Sequence, residues 1–402
     1  VDVNLLDPAA FRTRQPYEVY RWLRANDPVH WHANPEGRGF WVLTRHADIK
    51  VLETNSEVFS SEPNTLLNDE HLVGDETHKQ LLFSDPPRHT AHRRYLAAEL
   101  SLTQVRSKQA DMGELVDAVI DEVIEKGECD LVEDISGKLA SFVIADLLGL
   151  PRQESLELFH ASDVLTRGGS LLEGPGAEAL AVMNQHAGDA WKTFSSGQGN
   201  DGALARIVRT EIDGMPIDQM QFAIDFYLLV AAGGDTSRNA LSTGMLALFQ
   251  HPEQHRMLVE NPSLVPQAVE EILRWDPPII FQARTATRDA EVGGQKIAKG
   301  EKVVSYYGAG NRDPEVFTDP ETFDITRKSN PHLTFGAGRH FCLGSHLARQ
   351  ELVIMFTAIM SRMPDIKLAG PAQWHDLPEV PSVSGPASIQ VSFTPGQRKS
   401  AA

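Results

Sequence analysis

Cys342 stands in the stretch His332-Leu-Thr-Phe-Gly-Ala-Gly-Arg-His-Phe-Cys-Leu-Gly344, and an apolar, helix-forming run, Leu347-Ala-Arg-Gln-Glu-Leu-Val-Ile-Met-Phe356, lies directly behind it. A cysteine just ahead of a helix sits at the positive end of the helix dipole, among unpaired backbone N–H groups, and these favour a thiolate over a thiol. Cys342 is therefore a candidate metal ligand. Gly336, Gly338 and Gly344 carry no Cβ, so the backbone there can approach something large and flat. Arg339 and His340 can offer donors to carboxylates at its edge. A flat ligand with an iron centre and acidic edges is haem. An isolated free cysteine is more often an inert packing residue, so the reading depends on what else the chain contains.

Three further stretches carry groups of the right kind. In Asp85-Pro-Pro-Arg-His-Thr-Ala-His-Arg-Arg94 the prolines set a helix start, and His89 and Arg93 fall four apart on one face, an arrangement that suits a dianionic edge. Asp218 to Gln250 is the longest helical pattern, ~50 Å at the usual rise per residue. Its middle reads Ala231-Ala-Gly-Gly-Asp-Thr-Ser237, and two mid-helix glycines cost ~1 kcal/mol each. Such a cost is tolerated where a backbone must come close to something or where a helix must open. The plain alternative is close helix packing at the glycines, with Thr236 bonded to a carbonyl one turn back. Finally, Glu271 and Arg274, three apart in Glu-Glu-Ile-Leu-Arg-Trp, share a helix face and can pair.

At these residues the chain resembles the cytochrome P450 family, whose loop pattern Phe-x-x-Gly-x-x-x-Cys-x-Gly is met at Phe335, Gly338, Cys342 and Gly344. The resemblance covers almost the whole chain. It implies a mainly α fold with small β-sheets, a single P450-type domain over residues 1–402, and haem b bound through Cys342. That an axial thiolate pushes electron density toward O–O cleavage is a general property of this family. His89, Arg93, Arg284 and His340 would neutralise the propionates, and Phe335, Gly338 and Gly233 would also lie at the cofactor. Asp235 would relay protons and Thr236 would hold a water where oxygen is activated. Glu271 and Arg274 would form a buried structural pair. The family often completes that pair with an arginine where this chain has Thr322, so Arg312 or Arg327 would take its place. Leu82, Val230, Gly234, Ile279 and Ile280 would edge the substrate pocket, together with Phe59 and, from an irregular stretch over 61–83, Leu66, Leu67, Leu72, Val73 and Phe83.

The implied reaction is reductive O2 activation and oxygen insertion into a C–H bond of a lipophilic small molecule. The electrons would come from NAD(P)H through a separate ferredoxin and ferredoxin reductase, since no flavin or ferredoxin module is visible. The run Gly294–Asp313 and Thr236-Ser-Arg-Asn239 resemble bacterial P450s acting on steroids, terpenes and related lipids. The alternatives are a secondary-metabolite tailoring P450, with a substrate held on a carrier, and a peroxide-driven peroxygenase. A haem-based gas sensor would need an output domain, and none is visible.

The remaining chain bounds this reading. Net charge is −18 over 402 residues, with no basic stripe, which disfavours nucleic acid. Locally, Arg88, Arg94, Arg339 and Arg349 could still steer an acidic ferredoxin. Only two cysteines occur, Cys129 and Cys342, which fits a reducing compartment rather than a disulfide framework. No apolar run approaches a membrane span, and the N-terminus has no secretory pattern, so a cytoplasmic monomer without a membrane anchor is expected. Periodicity predicts helices over Met112–Lys126, Leu139–Leu148, Ala177–Phe194 and from Pro151 to about 168. Strands are predicted near Val29–Trp31 and Phe40–Leu43. Thr44 is expected to cap the helix that follows, and Pro395–Ala402 to fray.

Overall fold

The computed structural model describes residues 3–35, 37–67, 80–98, 100–168, 170–199, 202–212 and 214–399. The chain opens with helix α1 (Tyr17–Asn26), strands β1 (Val29–His32) and β2 (Phe40–Leu43), helix α2 (His46–Thr54) and strand β3 (Phe59–Ser60). Their sheet is completed from far along the chain by β7 (Phe281–Ala286) and β10 (Lys302–Tyr306), in the order β1-β2-β10-β7-β3. Strand β10 runs parallel to β2, with Val304 opposite Val42, and antiparallel to β7, with Val303 opposite Arg284. Alternation along these strands buries Phe40, Val42, Ala283 and Val304 against α1.

The helical body comprises α3 (Arg88–Ala97), α4 (Leu102–Ser107), α5 (Gln109–Asp121), α6 (Lys138–Leu148), α7 (Arg152–Thr166), α8 (Gly174–Ser195), α9 (Ala203–Ile207), α10 (Gln219–Gln250), α11 (Pro252–Glu260), α12 (Val265–Trp275), α13 (Tyr307–Gly310) and α14 (Ser345–Arg362). The small strand sets are β4 (Glu128–Asp130) with β14 (Gln390–Ser392) and β11 (Lys367–Leu368), β5 (Glu211–Ile212) with β6 (Met215–Pro216), β8 (Ala290–Val292) with β9 (Gln295–Ile297), and β12 (Gln373–Trp374) with β13 (Pro386–Ser388). Helix α10 runs through the middle of this body, packing on α6, α7, α8, α12 and α14. Asp218 starts it by accepting the Gln221 N–H at 2.9 Å, and His251-Pro252 ends it. Its Leu241 and Leu248 share one apolar core with Leu139, Ile272, Leu352 and Met355 of the neighbouring helices. Among the described residues no helix is long and apolar enough to cross a membrane.

Four expectations change. Thr44 does not cap α2: its hydroxyl donates to Pro28 O, and a distant carboxylate, Asp313, accepts the His46 N–H at 2.8 Å instead. Helix α5 stops at Asp121 and continues as turns, while α8 begins three residues earlier than its apolar pattern, with Pro175 in its first turn. The tail is tied down as far as Lys399. Gly396 N–H donates to Ile124 O, Arg362 reaches Gln397 O, and Lys399 bonds Asp117 and Asp121 of α5. Leu72 and Val73 lie outside the described residues.

Candidate functional site

The cysteine loop hangs between α12 and α14. Asn311 Oδ1 accepts the Leu333 N–H at 2.7 Å, and Thr334 Oγ1 donates to Leu273 O at 2.6 Å, which fixes the start of the loop. Cys342 N–H then donates to Phe335 O at 2.8 Å and closes it. Gly336 and Gly338 have φ of 68° and 67°. A Cβ on Gly338 would stand 2.5 Å from Glu53 O, so this glycine serves close packing on α2. Helix α14 starts only at Ser345, three residues past the sulfur. Burial pushes the Cys342 thiol up, and the Gly344 N–H, Arg93 and Arg349 pull the other way. The expected helix-terminus effect is thus outweighed by burial, and a cation against the sulfur would complete its ionisation.

Beside the loop lies a concentration of positive groups. His89 is 2% exposed, and neither of its ring nitrogens has a hydrogen-bond partner. Its ring centroid is 4.2 Å from that of His340. Arg93 donates to Phe341 O at 2.6 Å. Burial, then Arg93, holds His89 down to about 4. Burial, then Arg284, His89 and Arg93, holds His340 down to about 2. Two neutral imidazoles in so positive a field are a site for anions. Arg284 contributes to this field but is itself buried and paired with Glu53 at 2.8 Å. A group with two carboxylates and a metal to present to Cys342 fits these residues, and the orphaned nitrogens of His89 are what it would satisfy.

In the middle of α10, Asp235 and Thr236 diverge, as successive helix residues must. Asp235, 1% exposed, points to α7, where Ser162 and Thr166 hydroxyls donate to its Oδ2 at 2.8 and 3.2 Å. Its Oδ1 has no hydrogen-bond partner and lies 3.9 Å from Arg238, which Asp163 holds at 2.6 Å. Burial raises Asp235 to about 6, with Arg238 opposing and Asp163 reinforcing. Thr236 is half-buried and donates to Ala232 O at 2.7 Å, so its hydroxyl lone pairs remain to accept from a water. The plain alternative for this segment holds in part. Gly233 packs on α6, where a Cβ would meet Ile144 at 2.1 Å, so it serves helix packing rather than facing a cofactor.

The five pocket residues come from different elements. Val230 and Gly234 line a small cavity with Ile144, Phe159, Ser162 and Asp235, between α10, α6 and α7. Ile280 is fully buried in the β-sheet core, because its backbone pairs with Ser382 and Tyr307 and its side chain turns inward. Ile279 is half-buried and bridges Val383, and Leu82 is half-buried in a single helical turn. Phe59 is core, packed with Leu52 and Val58.

Glu271 and Arg274 are both fully buried and bidentate, at 2.8 Å for each bond. Arg274 also donates to the carbonyls of Asn311, Pro320 and Thr322. The third partner is Arg327, whose Nε reaches Glu271 at 3.0 Å, so Thr322 contributes only its backbone. Arg312 goes elsewhere, stacked 3.5 Å over Tyr17 and bonded to Trp275 O.

The family model described as Cytochrome P450 matches residues 192–364. Over 402 aligned residues the chain is 32% identical to the steroid C26-monooxygenase of Mycobacterium tuberculosis, covering 98% of both chains. The chain belongs to the cytochrome P450 family. Two solved P450 structures share the fold. One is Mycobacterium marinum P450 CYP268A2 in complex with pseudoionone, at TM-score 0.85 and 31% identity, covering 98% of this chain and all of that one. The other is P450BioI with an acyl carrier protein bearing hexadec-9Z-enoic acid, at TM-score 0.83 and 29% identity over 94% and 97%. As a P450 monooxygenase, this enzyme uses haem iron and O2, with electrons supplied by redox partners.

Not read from the sequence was a second buried carboxylate on the same P450 helix, Asp225. It accepts from His92 at 2.7 Å, from Gln221 at 3.2 Å and from Tyr95, and so fastens α3, with its His89 and Arg93, to α10. The sequence held a signal for it: an acid in an apolar stretch of a helix must find donors.

Proposed function

We propose that residues 1–402 act as one cytoplasmic, monomeric P450 domain that hydroxylates a steroid-like lipophilic substrate. The observation that carries the haem reading is the orphaned His89 ring, 4.2 Å from the ring of His340 in the cysteine loop and in a field of positive charge. The substrate class is supported by the likeness, along 98% of the chain, to a steroid C26-monooxygenase. Two unpaired cysteines support a reducing compartment.

Haem held by Cys342 would supply activation of O2 with two electrons and insertion of one oxygen atom into a C–H bond, the other leaving as water with two protons. The protein provides position and protons. His89, His340, Arg93 and Arg284 hold the acidic edge, and Phe335 shields the sulfur. Asp235, charged above about pH 6, takes up a proton at Oδ1 and passes it on, and Thr236 orders a water with its hydroxyl. Because Asp235 faces α7, its proton reaches the Thr236 side only when the carboxyl leaves Ser162 and Thr166.

Electrons come from a separate ferredoxin and reductase. Of the four arginines expected at that interface, Arg94 and Arg339 are exposed, as is Phe341 at 39%. Arg88 bonds Gln221, and Arg349 is paired with Glu270. The docking patch therefore centres on Arg94 and Arg339.

The test is a titration of the Soret band with sterols and steroids against terpenes, free fatty acids and an acyl carrier protein conjugate. A spin shift confined to the steroids is expected, while a response confined to the carrier conjugate would support the tailoring alternative. In parallel, Cys342→Ser should abolish the long-wavelength band of the reduced CO complex, and its survival would remove Cys342 as the ligand.

A further inference from the structure

Glu270 precedes Glu271 on α12 and therefore faces a different way. Glu271 turns inward to Arg274 and Arg327, whereas Glu270 turns to the cysteine loop. Its Oε1 accepts Arg349 Nε at 2.7 Å, and its Oε2 accepts Arg349 Nη2 at 3.0 Å. His332 Nε2 donates to the same Oε2 at 3.1 Å, while its Nδ1 accepts the Thr334 N–H at 3.3 Å, so the ring is held in one tautomer. Both groups held by Glu270 bear on Phe335. The Arg349 guanidinium lies 4.4 Å over its ring, and the His332 ring centroid is 5.8 Å away. Phe335 in turn accepts the Cys342 N–H on its carbonyl.

We propose that Glu270 is a positioning residue for the thiolate loop: through Arg349 and His332 it clamps the Phe335 ring, and through the Phe335 carbonyl it sets where the Cys342 sulfur stands. The inference rests on the reading of Cys342 as the haem ligand. Arg349 is thereby an internal brace, although a third of its side chain is exposed, rather than a docking group for ferredoxin. The clamp needs a planar fork that is bidentate to a carboxylate and flat on a ring at once, which lysine cannot supply. The Glu270 carboxyl, held down to about 2 first against burial by its bonds to His332 and Arg349, is charged throughout the working range.

The test uses the haem-loaded protein and the variants Glu270→Gln, Arg349→Gln and Arg349→Lys. The reading is the rate at which the reduced CO complex converts, in mild denaturant, from the long-wavelength thiolate band to the shorter-wavelength band of a lost thiolate. All three variants should convert about fivefold faster than wild type, the scale of one well-oriented, half-exposed pair. Val119→Ala, a cavity in the distant α5 core, should lower Tm without this acceleration. Wild-type rates in Arg349→Lys would reduce the clamp to simple charge and overturn it. Equal acceleration in Val119→Ala would overturn it as a plain stability effect. Unchanged conversion in all variants, with a raised ferredoxin requirement in Arg349→Gln, would return Arg349 to the docking surface. A wild-type protein with no thiolate band at all would instead sink the Cys342 reading, and that result is visible before any variant is made.

Discussion

Asp235→Asn should make the protein more stable and a poorer catalyst. Burial has raised this carboxyl from an ordinary 3.8 to about 6, so the folded state holds the proton more tightly than the unfolded chain. The stability linked to that proton is fully present below about pH 4 and is lost as pH rises to about 6. Above that, the fold carries a buried charge at a cost of about 3 kcal/mol, the equivalent of a proton held roughly a hundredfold more tightly than in the unfolded chain. Asparagine keeps the shape and can still accept from Ser162 and Thr166, so at neutral pH the variant should recover on the order of 1–3 kcal/mol. At about 2.1 cal/mol/K of unfolding entropy per residue, that raises Tm by about 1–4 °C. At pH 5, where much of the wild-type carboxyl is protonated, the advantage should shrink by about 1 kcal/mol. Turnover should meanwhile fall by about a hundredfold or more through loss of the proton donor, with substrate-induced Soret shifts unchanged. The assay is Tm of wild type and variant at pH 5 and pH 7.5, beside coupled product formation. A variant that melts lower at neutral pH, or a difference that ignores pH, would refute the account of Asp235 as a buried, proton-holding acid. Undiminished coupled turnover would refute its role in proton delivery.

Thr236→Ala should keep oxygen consumption but divert electrons into peroxide, measured as the ratio of H2O2 to product; a wild-type ratio would remove the hydroxyl from the reaction. Arg327→Ala should destabilise by about 3 kcal/mol in denaturant titration, because Glu271 is left buried with one cation fewer. Arg312→Met should leave the Glu271 pair intact and cost less, and a reversed order would contradict the assignment of Arg327 as third partner. Arg94→Glu and Arg339→Glu should raise the ferredoxin concentration for half-maximal rate, the more so at low salt, where the screening length is long. Silent reversals would place docking elsewhere.

The cysteine loop was legible because its chemistry is contiguous: Phe335, Gly338 and Cys342 fall within one stretch, and local spacing alone sets their relation. The same holds for His89 with Arg93, and for Glu271 with Arg274, each a single helical turn. What could not be read were contacts between distant segments. Thr44 has the side chain of a cap, but the N–H it would satisfy goes to Asp313. Arg312 and Arg327 are equal candidates from sequence, and only the path of the chain from 307 to 327 separates them. Gly233 and Gly234 are neighbours of one type, yet one backs onto Ile144 and the other opens to a cavity, a matter of helix phase against α6. Ile280 reads as a pocket residue until its backbone bonds to Ser382 and Tyr307 turn it into the core.

The β-sheet has a consequence for the chain while it is being made. Ser305 and Glu53, hydrogen-bonded at 3.0 Å in the finished protein, are 252 residues apart. At a synthesis rate of roughly 5–20 residues per second, β1 and β2 emerge about 13–50 seconds before the strand that lies between β2 and β7 exists. For that interval the edge of β2 away from β1 has no neighbour, and Phe40, Val42 and Leu43 lack the strand they pair beside in the finished sheet. The sheet built on β1 and β2 is thus begun long before β10 is translated and is among the last parts to be finished. It is where a nascent chain of this protein is most open to capture by a chaperone or by another copy of the same strand.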